Sequence, residues 1–248
     1  MQKKKLRPNS TSITPIFTIQ YNIMKSILFL ILSCLLILTL LSPAAAGQTD
    51  NCHCFRDRSY DPAHRFVADD YLLTTSFNSL IAATLSVKKR QIVLMKMKGG
   101  VDPDELLIAL YIADKTEAPV DALLSIRDNG GSWQDILNSP SLQHTAGTDP
   151  VFAKIAAGTI AHDLTSPITD AMINTHYHAR PEQISSLRNE DFSNKELNLI
   201  FALNKQTTTP VKEIVGMARQ KKMSWSEIAH HFNLTPAGVG KTILGNQT

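Results

Sequence analysis

The chain has 248 residues, 43% of them hydrophobic, and a formal charge of +3. That length supports one or two domains with a substantial core. The positive sign misleads, because Lys3, Lys4, Lys5, Arg7 and Lys25 all lie in the first 46 residues, which carry no acid. The rest holds 20 basic against 22 acidic residues, a net of −2, so the broad basic footprint of a nucleic-acid binder is missing and no such partner is expected.

From Ile27 to Leu41 the chain reads ILFLILSCLLILTLL, with Lys25 before it and Ser-Pro-Ala-Ala-Ala-Gly after it. A charged start, an apolar run and a small-residue site at Ala44-Ala45-Ala46 predict a cleaved signal peptide. Met24 directly precedes Lys25 and is an alternative start to Met1. The run is short of the roughly 20 residues that span a bilayer; left uncleaved, it would be the only membrane anchor. Cys34, in Ile31-Leu32-Ser33-Cys34, sits inside the run, where lipidation does not fit. The expected location is therefore outside the cytoplasm, periplasmic or secreted.

Residues 47–67 are polar and without period, an irregular segment carrying Asn51-Cys52-His53-Cys54-Phe55. Cys52, His53 and Cys54 are the candidate metal ligands, two thiols flanking an imidazole. The spacing is too close for common zinc knuckles and is not the Cys-x-x-Cys-His of covalent haem. A disulfide, within the pair or between chains, is the structural alternative in an oxidising compartment; thiol exchange is another.

Helical patterns follow. Residues 69–86 carry an apolar stripe at Leu73, Phe77, Leu80 and Ile81, and 88–98 form a basic-flanked helix ending at Gly99-Gly100. A phrase then appears twice. Asp102 to Leu137 aligns with Ser193 to Ala229 at an offset of 91, then 92 after one inserted residue. Glu105-Leu106 matches Glu196-Leu197, Thr116-x-x-Pro119-Val120 matches Thr207-x-x-Pro210-Val211, and Ser132-Trp133 matches Ser224-Trp225. The spacing predicts one three-helix unit used twice. Its first helix, 103–114, opens on an Asp102 cap with Pro103 at the first position. Its second runs from Pro119 to about Asp128, burying Val120, Leu123, Leu124 and Ile126, and stops at Gly130-Gly131. Its third opens on a capping box, Ser132 with Asp135 or Ser224 with Glu227. Each Trp shares a face with the Ile three residues on and is expected to roof the unit rather than stack on a ligand. Each copy should lean on the helices before it, 69–98 for the first and 167–189 for the second.

Polar-Pro pairs at Asp149-Pro150, Ser166-Pro167, Thr209-Pro210 and Thr235-Pro236 mark further helix starts. The fold class expected is all-α, a duplicated three-helix unit with additional helices. Its organisation is an extension and signal peptide over 1–46, the irregular segment over 47–67, a helical unit with the first repeat over 68–140, a join over 141–165, and a second helical unit over 166–248.

The last stretch, SWSEIAHHFNLTPAGVGKTI, resembles a helix-turn-helix. That resemblance implies a second helix in the major groove, yet here the helix has two glycines and Lys241 as its only charge. The W-x-x-I-A phrase resembles a helical segment of uncharacterised exported bacterial proteins, which implies a compartment and a helical fold and no activity. His176 and His178 could share a metal only if the helix has ended and the chain is extended there. His230 and His231 read as surface residues on a last helical turn. There is no nucleophile elbow, phosphate loop or His-Glu-x-x-His helix. The expected function is an exported binding or interaction module for a protein or small molecule, not an enzyme; the rival is a metal-binding or thiol-redox protein built on the 52–54 cluster. Sequencing of the exported form should place the mature N-terminus at or near Gly47; an intact start in a membrane fraction would overturn cleavage.

Overall fold

The structure, a computed structural model, describes residues 58–98, 100–140, 142 and 149–245. The signal segment, Cys34, and Cys52, His53 and Cys54 lie outside the described residues. Among the described residues the regular structure is entirely helical, and no helix there is long and apolar enough to cross a membrane. The fold is all-α. The described residues form twelve helices, in order: α1 Asp69–Thr84, α2 Lys89–Lys98, α3 Pro103–Thr116, α4 Val120–Asp128, α5 Trp133–Leu137, α6 Pro150–Ala156, α7 Ala161–Tyr177, α8 Pro181–Asn189, α9 Asn194–Thr207, α10 Val211–Arg219, α11 Trp225–His231 and α12 Pro236–Leu244. Buried side chains from both halves form one core. The stretch expected as a join holds α6 and the first turn of α7.

Local chemistry sets most helix boundaries. Asp102 accepts from the backbone N–H groups of Asp104 and Glu105 at 2.9 and 3.1 Å, with Pro103 behind it. Pro119 and Pro210 are both the cap residues of second helices. Ser132 with Asp135, and Ser224 with Glu227, close reciprocal capping boxes. The first helices both end in a left-handed residue, Glu117 and Thr208, although neither is glycine. Thr116 and Thr207 return their hydroxyls to the carbonyls four residues back, at 2.7 and 2.8 Å. At the end of α4 the glycines are needed: Gly130 sits at φ +88°, and a Cβ on Gly131 would lie 2.6 Å from the Ile126 side chain.

The two tryptophans occupy corresponding buried places, 4% and 7% exposed. The Trp133 indole N–H donates to Glu105 at 2.8 Å, and the Trp225 indole N–H donates to Glu196 at 3.0 Å. Each Glu stands in the first turn of the first helix of its copy, so the bond ties third helix to first. A buried indole needs such an acceptor. The second requirement on each carboxylate is met differently. Arg127 holds Glu105 through two nitrogens at 2.6 and 2.8 Å, whereas Ser193 holds Glu196 through its backbone N–H and hydroxyl at 2.8 and 2.7 Å.

Tertiary packing departs from the sequence reading in four places. The copies do not each lean on the helices before them: α3 packs chiefly on α7, and α9 packs on α1 as well as α7. Helix α1 is no striped surface helix; it is buried all round from Thr75 to Ala82 and touches α2, α7, α9, α11 and α12. Ile126 is 46% exposed, because α4 covers the core only through Leu123 and Leu124. Pro167 starts no helix; it lies inside α7, which begins at Ala161. Full burial of Leu164 and Ile168 draws the helix back past the proline. The N–H that Pro167 lacks would have served the carbonyl of Asp163, an exposed residue whose carbonyl water can reach.

Burying α1 also buries polar groups. Ser76 and Ser79 return their hydroxyls to their own helix, at 3.0 and 2.9 Å. Two lysines of α2, two turns apart on one face, serve the rest: Lys89 donates to Thr75 and Ser79 at 3.1 and 2.7 Å, and Lys96 to Asn78 at 2.8 Å. Helix α12 comes close to α1 at Gly240, where a Cβ would sit 3.1 Å from both Ser79 Oγ and Lys89 Nζ. The chain just before α1 and the first residue of α1 bind the start of α11. The Asp69 carboxylate accepts from the backbone N–H groups of Trp225 and Ser226 at 3.0 and 2.8 Å, capping α11 from outside. The Arg65 carbonyl accepts from the hydroxyls of Ser224 and Ser226, and its guanidinium pairs with Glu227.

Trp225→Phe keeps most of the ring burial and removes the N–H. It should cost about 1.5–3 kcal/mol, the worth of a hydrogen bond to a charged group. Trp225→Ala should cost roughly 3–5 kcal/mol. Urea melts check both; a Phe variant as stable as the parent would show that the ring, and not its bond to Glu196, holds the unit.

Candidate ligand-binding groove

Two helical stripes face each other across a cavity of about 640 Å³. On α7 the stripe is Pro167, Asp170, Ala171, Asn174 and Thr175; on α8 it is Pro181, Ile184, Ser185 and Arg188. Both follow the three-and-four spacing of one helical face. Tyr111 and Lys115 of α3, with Asp149, Pro150 and Val151 at the start of α6, close the remaining side. The hinge between α7 and α8 is local. His178 ends α7 in the left-handed conformation, and Pro181 starts α8 three residues later. Asn174 holds the hinge by donating to the Ala179 carbonyl at 2.9 Å.

The floor is apolar, made by the buried Val151, Ile184 and the ring of Tyr111. The charges in the walls are already engaged. Arg188 donates to Asp170 through two nitrogens at 3.0 and 2.6 Å and to the Ser166 carbonyl at 3.3 Å. Asp149 accepts from the Tyr111 hydroxyl at 2.7 Å and from the Val151 N–H at 2.8 Å. Burial first, and the Asp149 bond second, hold the Tyr111 proton well above the usual phenol range. Lys115 lies 3.2 Å from Asp114 and 5.6 Å from the Tyr111 ring centre. A groove of this kind has two acids, two bases and no surplus field. It suits an apolar or amphipathic ligand better than a polyanion.

Among the described residues no three His, Cys, Asp or Glu side chains are grouped to hold a metal. His178 is left-handed rather than extended, so the geometry in which His176 and His178 could share an ion is not formed. His176 is half-buried; it packs edge-on against Tyr177, with ring centres 4.7 Å apart, and lines a second cavity of about 490 Å³ with Lys205 and Gln206. Burial, and then the nearby Lys205 charge, push its pKa below the ordinary histidine value. His230 and His231 are exposed on the last turn of α11, His230 against Tyr60 with ring centres 5.0 Å apart. In α12, Val239, Gly240 and Ile243 are buried, leaving Ala237, Lys241 and Thr242 exposed. Glu105 and Glu196 serve as indole acceptors.

None of Tyr111, Lys115, Asp170 and Arg188 was singled out from the sequence as a site residue, and Asp149 was read only as a helix start. The available signal was the stripe of small and polar residues on the second face of α7. One further pair has the geometry of chemistry: Ser79 Oγ lies 2.7 Å from Lys89 Nζ. Ser79 is completely buried beneath Gly240, and neither residue lines the cavities described. Comparison with protein-family models and with curated proteins finds no match for the chain.

Burial pulls the Lys89 and Lys96 pKa values down to about 8. Between there and the ordinary lysine value near 10.4 the unfolded chain binds protons that the fold does not, so stability rises with pH across that window. The melting temperature should climb from pH 8 to 10 in the wild type and stay flatter in Lys89→Met/Lys96→Met; identical profiles would show that the buried lysines are not the cause.

Proposed function

We propose that the protein is an exported helical binding module, built on two copies of a three-helix unit, whose groove between α7 and α8 receives its ligand. The observation that carries the reading is the groove itself. It is concave, apolar at its floor, walled by two faced helical stripes and within the roughly 300–1,000 Å³ of small-molecule sites. Its internally paired charges favour a ligand with an apolar body and few charges, either a small molecule or a short peptide segment. Export rests on the charged start, apolar run and small-residue site over 25–46. The common use of Glu105–Trp133 and Glu196–Trp225 bonds supports the duplication.

The test is a fragment and peptide screen read by amide NMR shifts. Binders should move Ala171, Thr175 and Ile184 together. Ser185→Trp, an exposed wall position, should weaken the same binders about tenfold or more by filling the groove, with an unchanged melting temperature. Binders that ignore Ser185→Trp, or that shift residues elsewhere, would remove the groove from the proposal.

A further inference from the structure

A third cavity, about 150 Å³, lies where the two copies meet. Its walls include the first turn of α3, through Pro103 and Asp104, and the first turn of α9, through Asn194 and Lys195. At the offset of 91 these are the same two positions of the repeated phrase. Helix α1 supplies Thr74 and the completely buried Asn78, and α2 supplies Lys96.

Two ammonium groups therefore share a cavity too small for a drug-sized molecule. The bond given to Lys96 is its donation to Asn78 Oδ1 at 2.8 Å. An ammonium has three N–H donors, and one neutral acceptor is poor compensation for a half-buried charge. Lys195 donates to Thr74 at 3.0 Å and stands 4.0 Å from Asp70, whose side chain is largely exposed. The single acid in the wall, Asp104, is turned partly to His162, 3.3 Å away. Two ammonium groups against one carboxylate leave the walls one excess positive charge. The N-terminal ends of α3 and α9 add the positive ends of two fourteen-residue helices. Their caps already occupy N–H groups of Asp104, Glu105 and Glu196. Direct donors must then come from side chains: Lys96, Lys195 and the second amide N–H of Asn194, since its other N–H goes to Thr165 at 3.2 Å and the Thr74 hydroxyl turns to Asp70 at 3.4 Å.

We propose that this cavity binds a small oxyanion, of phosphate or carboxylate size, clamped between Lys96 and Lys195 at the junction of the two copies. The anion completes the donors of both ammonium groups and bridges α2 to α9, so it acts as a structural ligand joining the halves. The site is separate from the α7–α8 groove, and either can fail without the other.

The purified full chain is titrated with inorganic phosphate, acetate and O-phosphoserine, each against chloride at equal ionic strength. Melting temperature and the amide shifts of Asn78 and Asn194 are followed. Phosphate or acetate should raise the melting temperature beyond chloride and move both amides. Lys96→Met and Lys195→Met should each weaken that anion about tenfold or more, the loss of a charge-assisted hydrogen bond. Lys212→Met, on an exposed position of α10, should leave it unchanged. Lys195, at the rim, answers alone if Lys96→Met does not fold. O-phosphoserine binding as well as phosphate would identify the anion as the end of a larger molecule; its rejection would identify a free ion. A chloride response equal to the others, or unaltered affinity in Lys195→Met, would overturn the site and leave a water-filled cavity.

Discussion

An indole N–H that must find an acceptor inside a core is the constraint on which each three-helix unit turns. Tryptophan brings a large apolar surface and one donor. In both copies the acceptor is a glutamate of the first helix, nearly thirty residues earlier. Direction follows from that bond. The third helix must cross the start of the first, and the second helix is left to bridge them. The glutamate is held by a second group in each case, Arg127 in one copy and Ser193 in the other. The same bond occurs twice while the support for its carboxylate differs, so the indole–carboxylate contact is what the two segments share.

The two units do not fold as separate bodies side by side. Helix α3 rests on α7 and helix α9 on α1, so each copy completes its core with helices from both halves. A unit of this size buries too little surface alone, and exchange of partners spreads one core across the described residues. Its cost is a central helix with no solvated face from Thr75 to Ala82. Thr75, Ser76, Asn78 and Ser79 of α1 are enclosed, and the enclosure is workable because Lys89 and Lys96 reach them from α2.

The local half of the architecture was legible in the residues. Caps at Asp102, Ser132 and Ser224, the burial of both tryptophans and the ends of α4 are written within a few neighbours of each boundary. What was not legible depends on distance. Nothing near Ser166-Pro167 tells that Leu164 will be completely buried and pull the helix past its proline. The stripe read on α1 was sound as a pattern, but whether the opposite face meets water is decided by α12, more than 150 residues on. Ile126 looks like core and is not, since α4 has no second layer over it. The groove escaped notice for the same reason: Tyr111, Asp170 and Arg188 are ordinary residues on three helices, and only packing brings them together.

The segment from Arg65 to Asp69 bears on how the chain reaches this state. Its partners, Trp225, Ser226 and Glu227, lie about 160 positions further on. Helix α1 also meets its most extensive neighbour in α12. Contacts of such long sequence separation demand loop closure before they return any energy, and they slow folding accordingly. Until α12 has been synthesised, the central helix α1 lacks its most extensive neighbour and keeps a polar-and-apolar surface uncovered. The core can close around α1 only when α11 and α12 come back to it.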